Sequence, residues 1–150
     1  MKTCVYKVQF NKNSFDLNDD YDRLSEHEKE RISDLDAETF FDYEEEGNYT
    51  CFVVTTPVEM KKYISILTSN LIICECNDIS LDVLKFNINL EEELKDQIST
   101  INSIKYSFFI DDIYDWIKSN LDMDMVLDRI SEVGIESLSK VEKDFLKNFH

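Results

Sequence analysis

Several carboxylates, thiols and imidazoles of this chain stand at spacings that chemistry can use. Asp16, Asn18 and Asp20 occupy the first, third and fifth positions of a calcium loop. Such a loop needs glycine at the sixth position for its sharp turn and glutamate at the twelfth as a bidentate ligand. Tyr21 and His27 stand there instead, so the stretch is expected to be a solvated loop and not an ion site. Cys74 and Cys76 are two residues apart in a strand-like run, which puts both sulfurs on one side. Cys4 and Cys51 lie in other strand-like runs. Zinc ligands usually come from turns, with about two to four residues between paired cysteines. Alternation between two sheet faces also works against convergence, so the thiols read as core packing in a reducing compartment. The imidazoles are His27, set among Glu26, Glu28 and Glu30, and His150; neither has a nucleophile nearby in sequence. Asp111-Asp112 and Glu44-Glu45-Glu46 are neighbours because acids are abundant. Gly47 and Gly134 are isolated, so no phosphate-cradling loop is present. No catalytic residue, metal ligand or cofactor site is expected, and the chain reads as non-enzymatic.

Charge is the dominant signal. Asp and Glu number 32 against 16 Lys and Arg, net −16 over 150 residues. Between Asp16 and Glu46 stand fourteen acids and three bases (Arg23, Lys29, Arg31), net −11 in 31 residues. Such a field governs who can approach. It disfavours nucleic acid and anionic membrane, and it favours a basic protein. Asp34, Asp36, Glu38, Asp42, Glu44, Glu45 and Glu46 are the candidate partner-binding residues, acting as an electrostatic surface. The expected function is protein binding, as an immunity or inhibitor protein covering a basic toxin or nuclease, or as a nucleic-acid mimic. Acidity for solubility alone is the plain alternative. Two others are an adaptor docking through a C-terminal hairpin and a small carboxylate-based hydrolase.

The elements that must position these residues follow from periodicity and caps. With two Gly and one Pro in the whole chain, tight-turned sandwiches and barrels are disfavoured. Residues 3–10 alternate, with Cys4, Tyr6, Val8 and Phe10 on one face, and read as a half-buried strand, not a signal peptide. Residues 11–20 read as turn-like, 21–33 as helical, and the stretch to Glu46 as a solvated acidic segment closed by a Gly47-Asn48 turn. Tyr49 to Thr56 is apolar on both faces, hence a central strand. Thr56-Pro57-Val58-Glu59 supplies an N-cap, a first-turn proline and a capping box. The helix it opens runs to about Ser69, with Asn70 expected to end it in the left-handed conformation. Leu71 to Cys76 is the third strand, expected to pair in parallel with the second. Residues 80–86 lean to a short helix. Asn89 with Glu92 opens another, carrying Leu90, Leu94, Ile98 and Ile101. A longer helix from about Ser107 to Asn120 packs Phe109, Ile113, Trp116 and Ile117, with Phe108 also assigned to the core. No apolar run is long enough to span a membrane, and cytoplasm is the default location.

The tail forms a helical hairpin. Val126, Leu127, Ile130 and Val133 make one stripe, Gly134 ends the helix, and Ser139 with Glu142 caps the next. Val141, Phe145 and Leu146 then fold against the first stripe. Leu127, Asp128, Arg129, Ile130, Gly134, Ser137, Leu138, Ser139, Glu142, Lys143, Phe145 and Leu146 give this stretch a pattern that resembles a short C-terminal module appended to some bacterial rhomboid-family membrane proteases. The resemblance covers residues 125–146 and implies a docking or capping hairpin. It carries over no catalytic residue, because the protease's nucleophile segment and membrane helices have no counterpart. The whole reads as a single acidic α+β domain: a small three-stranded sheet with a strand-helix-strand unit over residues 1–88, and a helical C-terminal part over 89–150.

Overall fold

Strand β1 (Cys4–Phe10) buries Tyr6, Val8 and Phe10 on one face and Val5 on the other, where Gln9 stays exposed. The backbone amides and carbonyls of a strand so buried need a hydrogen-bonding neighbour on each edge. In the computed structural model, which describes residues 2–36 and 39–148, β1 has both. It pairs antiparallel with β3 (Asn48–Thr55) and with β4 (Cys74–Asp78), and β2 (Thr39–Glu45) completes a four-stranded sheet in the order β2-β3-β1-β4. By contact the chain forms two compact units, Met1–Ser80 and Leu81–His150.

The α+β class is as expected, but the sheet has four strands, one more than the sequence pattern predicts. The added strand is β2, inside the stretch expected to be solvated. Its aromatic residues alternate with acids, so Phe41 is fully buried while Glu44 and Glu45 are exposed. A two-residue turn, Glu46-Gly47, joins it to β3, with φ of +52° and +80°. Two positive φ values give the twist that antiparallel strands need. The strand-helix-strand unit is present, but β3 and β4 do not pair, because β1 lies between them.

Two helices cover the N-terminal acidic stretch. Helix α1 (Ser14–Tyr21) replaces the expected turn; Asn13 caps it by accepting from the Asp16 backbone N–H at 3.0 Å. Helix α2 (Glu26–Asp36) follows. Helix α3 (Pro57–Ser69) starts as its sequence dictates, with the Thr56 hydroxyl accepting from Glu59 N–H at 3.2 Å. It ends differently. Asn70 has φ −105°, and the left-handed residue is Leu71, at φ +60°. Ile72 N–H then donates to Leu67 C=O at 2.9 Å and Leu71 N–H to Thr68 C=O at 3.1 Å, a complete Schellman closure. The Asn70 side chain serves instead as a donor to Ile66 C=O and to Glu28. Sheet residues Tyr6, Val8, Phe10, Cys51 and Val53 pack with Leu24, Ile32, Leu35, Met60 and Leu67 as the core of this unit.

The second unit is helical: α4 (Ser80–Leu84), α5 (Leu90–Leu94), α6 (Ser103–Asn120), α7 (Met123–Val133) and α8 (Lys140–Asn148). Helix α5 stops at Leu94 and passes into a 3-10 turn, so Ile101 is not on its buried face but 97% exposed. Helix α6 starts at Ser103, earlier than expected, and buries Phe109, Ile110, Ile113, Trp116 and Ile117. Phe108 is 67% exposed, because one step along a helix turns a side chain by about 100° away from the buried stripe.

The C-terminal hairpin forms as read, with one change of face. Gly134 takes φ +83°, and Ser139 and Glu142 cap α8 reciprocally: Ser139 N–H donates to Glu142 Oε1 at 2.9 Å and Glu142 N–H to Ser139 Oγ at 3.2 Å. Val126, Leu138 and Val141 are buried, whereas Leu127 and Val133, assigned to the same stripe, are exposed. Glu142 is completely buried and also accepts from Arg129 Nε at 3.2 Å. The Arg129 guanidinium lies over the Phe86 ring, 5.2 Å from its centroid.

Candidate interaction surface

The antiparallel pairing of β2 and β3 settles where the predicted acids point. Glu44 faces Tyr49 and Asp42 faces Cys51 across the pair, so both share the sheet face that carries Phe10 and the helix-packed core. Glu45, one residue on, belongs to the other face. Glu46 occupies the exposed turn. The hairpin therefore gathers four of the seven predicted residues. Asp34 is exposed on α2, a different element, and Asp36 closes that helix. The Asp36 side chain and Glu38 lie outside the described residues, as does His150.

Two of the hairpin acids are fixed by neutral donors. The Tyr49 hydroxyl donates to Asp42 Oδ2 at 2.6 Å. The Ser14 backbone N–H donates to Glu44 Oε1 at 2.9 Å, and the Ser14 hydroxyl bonds the same oxygen. Glu44 thus also satisfies the free amide at the start of α1. These bonds orient the carboxylates without cancelling their charge. Among the described residues no ion pair reaches Asp34, Glu44, Glu45 or Glu46. Elsewhere in the acidic stretch internal bases do act. Lys12 pairs with Asp20, with Arg23 also on that carboxylate, and together they hold its pKa below the usual carboxylate range. Lys29 lies 3.6 Å from Glu26.

Beside the two fixed carboxylates is a pocket of about 270 Å³. Its walls include Phe10, Tyr21, Tyr49 and Tyr63, together with Ser14 and Leu17. Phe10 and Tyr49 are in tilted ring contact, 5.6 Å between centroids. Burial, and then the bond to Asp42, push the Tyr49 hydroxyl far above the ordinary tyrosine pKa, so it stays a donor.

Comparison with known family models, curated proteins and solved structures found no match.

The other sequence candidates resolve as structure. Asp16, Asn18 and Asp20 lie on helix α1 and not in a loop, and no group of three or more His, Cys, Asp or Glu suited to a metal ion occurs among the described residues. The cysteines do share one sheet face, contrary to expectation: Cys51 and Cys76 flank Val8 on either side, Cys74 faces Phe10, and Cys4 is two residues from Tyr6 on β1. They are free thiols. Burial raises the pKa of Cys74, and burial with the nearby Cys74 and Asp78 pushes Cys76 up to about 11. A thiol held protonated is a poor nucleophile and a poor ligand. No helix among the described residues is long and apolar enough to cross a membrane.

The tyrosine walls were missed in the sequence because Tyr21, Tyr49 and Tyr63 are scattered over three elements. The available signal was Tyr49 itself, a large aromatic at the exposed end of a central strand, in register with Glu44.

Proposed function

We propose that this chain is a non-enzymatic protein-binding protein whose acidic N-terminal unit engages a basic protein, in the manner of an immunity or inhibitor protein or a nucleic-acid mimic. One observation supports it most: Glu44, Glu45 and Glu46 stand exposed on a hairpin with a two-residue turn, with no ion pair among the described residues. A fixed cluster of like charge accelerates encounter with an oppositely charged surface and is screened by salt. The test is retention of a basic partner at low and at high salt, for the wild type and for a variant carrying Asp34→Asn, Glu45→Gln and Glu46→Gln. Retention at low salt, loss at high salt, and an association rate lower by about tenfold or more in the variant are expected. Failure to retain any basic protein at low salt overturns the proposal.

A second role is favoured by the C-terminal hairpin. Leu127, Val133 and Ile135 are exposed there, although its capping residues are buried or bonded. Together with the resemblance of residues 125–146 to the module on rhomboid-family proteases, this supports an adaptor surface. Deleting residues 122–150 would strip Val126, Leu138 and Val141 from the core. The cleaner variant is Leu127→Ser with Ile135→Ser, which should abolish hairpin docking while leaving ellipticity and melting unchanged.

A further inference from the structure

We propose that the tyrosine-walled pocket of the first unit is an ammonium site that receives a lysine side chain of the basic partner; this rests on the acidic-surface function proposed above. Three features converge there. The walls are aromatic, and an ammonium is attracted to a ring face by its quadrupole. None of the side chains lining the pocket is itself charged. The rim is anionic in a fixed way: Asp42 is held by the wall residue Tyr49, and Glu44 by the wall residue Ser14. The same chemistry already operates within the molecule, where Lys29 Nζ sits 5.5 Å from the Tyr21 ring centroid.

Charge and shape narrow the occupant. An anion would meet Asp42 and Glu44. A neutral apolar group would gain from the walls but nothing from the rim. A lysine satisfies both, because its methylene stem packs on Leu17 and the rings while its head stays near the carboxylates. At about 270 Å³ the space lies just under the range of pockets for drug-sized ligands, about 300–1,000 Å³, and suits a single side chain.

The test uses the full chain with n-butylammonium chloride as the lysine probe, 1-butanol as the neutral isostere, and sodium chloride at equal ionic strength. Ring resonances of Tyr49, Tyr63 and Phe10 are followed by NMR. Butylammonium is expected to shift them saturably, and more tightly than butanol, while sodium chloride leaves them in place. Octalysine binding is then measured by calorimetry at low salt. Tyr49→Leu should weaken it by about 2- to 30-fold, the range of cation–π contacts, and Tyr49→Phe should recover most of that loss. Tyr63→Leu provides the same readout if Tyr49→Leu does not fold. Equal shifts from butanol and butylammonium, or no saturable shift, overturn the site. Octalysine binding that persists unchanged in Tyr49→Leu also overturns it, yet leaves the acidic-surface function standing. A wild type that ignores octalysine at low salt, while its tyrosines respond to butylammonium, overturns the acidic-surface function instead.

Discussion

Glu142→Ala is expected to be among the most damaging single substitutions in the second unit. The carboxylate is completely buried, accepts from Ser139 N–H at 2.9 Å and from Arg129 Nε at 3.2 Å, and its loss leaves both donors without it at once. Arg129 keeps its charge with only 18% of its side chain exposed. Breaking a buried pair from one side costs about 3–5 kcal/mol, most of it from the charge left behind. Loss of the reciprocal cap of α8 adds about 1 kcal/mol. Contact with the Phe86 ring retains part of the guanidinium's stabilisation, so a total of about 3–5 kcal/mol is expected. The chain has one tryptophan, Trp116, buried on α6, so its fluorescence during urea unfolding reports on this unit. A shift of the midpoint without a change of slope gives the value directly. The double variant Arg129→Met with Glu142→Leu removes both charges and should regain most of the loss, because a buried pair and a well-packed apolar replacement are often near equal. A cost below about 1 kcal/mol for Glu142→Ala, or a double variant no better than the single one, would refute the reasoning.

Two further outcomes follow from strain and from buried hydroxyls. Leu71 is left-handed and 79% exposed, so no packing offsets its conformation. Leu71→Gly should stabilise the first unit by about 0.5–1 kcal/mol, since relief of about 1–2 kcal/mol of backbone strain exceeds the added entropy of the unfolded chain; a lower urea midpoint would contradict this. At alkaline pH, Tyr6 and Tyr114 are pushed up to about 12, chiefly by burial, and Tyr49 higher still. A raised folded pKa gives a contribution that is intact below the unfolded value near 10 and is lost as pH climbs towards 12. Absorbance at about 295 nm should therefore show these tyrosines ionising only as ellipticity falls. Simultaneous ionisation of all tyrosines in a chain with native ellipticity would show those hydroxyls to be unprotected.

Local chemistry was legible wherever two neighbouring signals agreed. Thr56-Pro57-Val58-Glu59 and Ser139 with Glu142 each specify a helix start through side chain and backbone together, and both formed as read. β3 showed its central place because Cys51, Phe52 and Val53 leave neither face polar. β2 stayed hidden because its alternation pairs aromatics with carboxylates, and the local charge outweighed the period. Residues 13–16 held a start signal for α1 in Asn13 and the amide three positions on. Polar composition masked it, since α1 buries no residue. The end of α3 could not be read locally. Asn70 is a common left-handed stop, but its amide is used on Glu28, 42 residues earlier, which passes the unusual φ to Leu71. The acidic hairpin residues were legible by composition alone; the pocket beside them depends on β1, α1 and α3 meeting, which no local pattern encodes.

Placing carboxylates on β2 has an effect on the protein's own copies. In the order β2-β3-β1-β4, the outermost strands carry Asp42, Glu44 and Glu45 at one side and Glu75 and Asp78 at the other. An outer strand offers unpaired amides and carbonyls to any extended segment. Were two such sheets to join side by side, acids would stand against acids, and each like pair costs about 0.2–1 kcal/mol. The same charges thus keep sheets from zipping into one another at neutral pH, and acidification would remove that barrier.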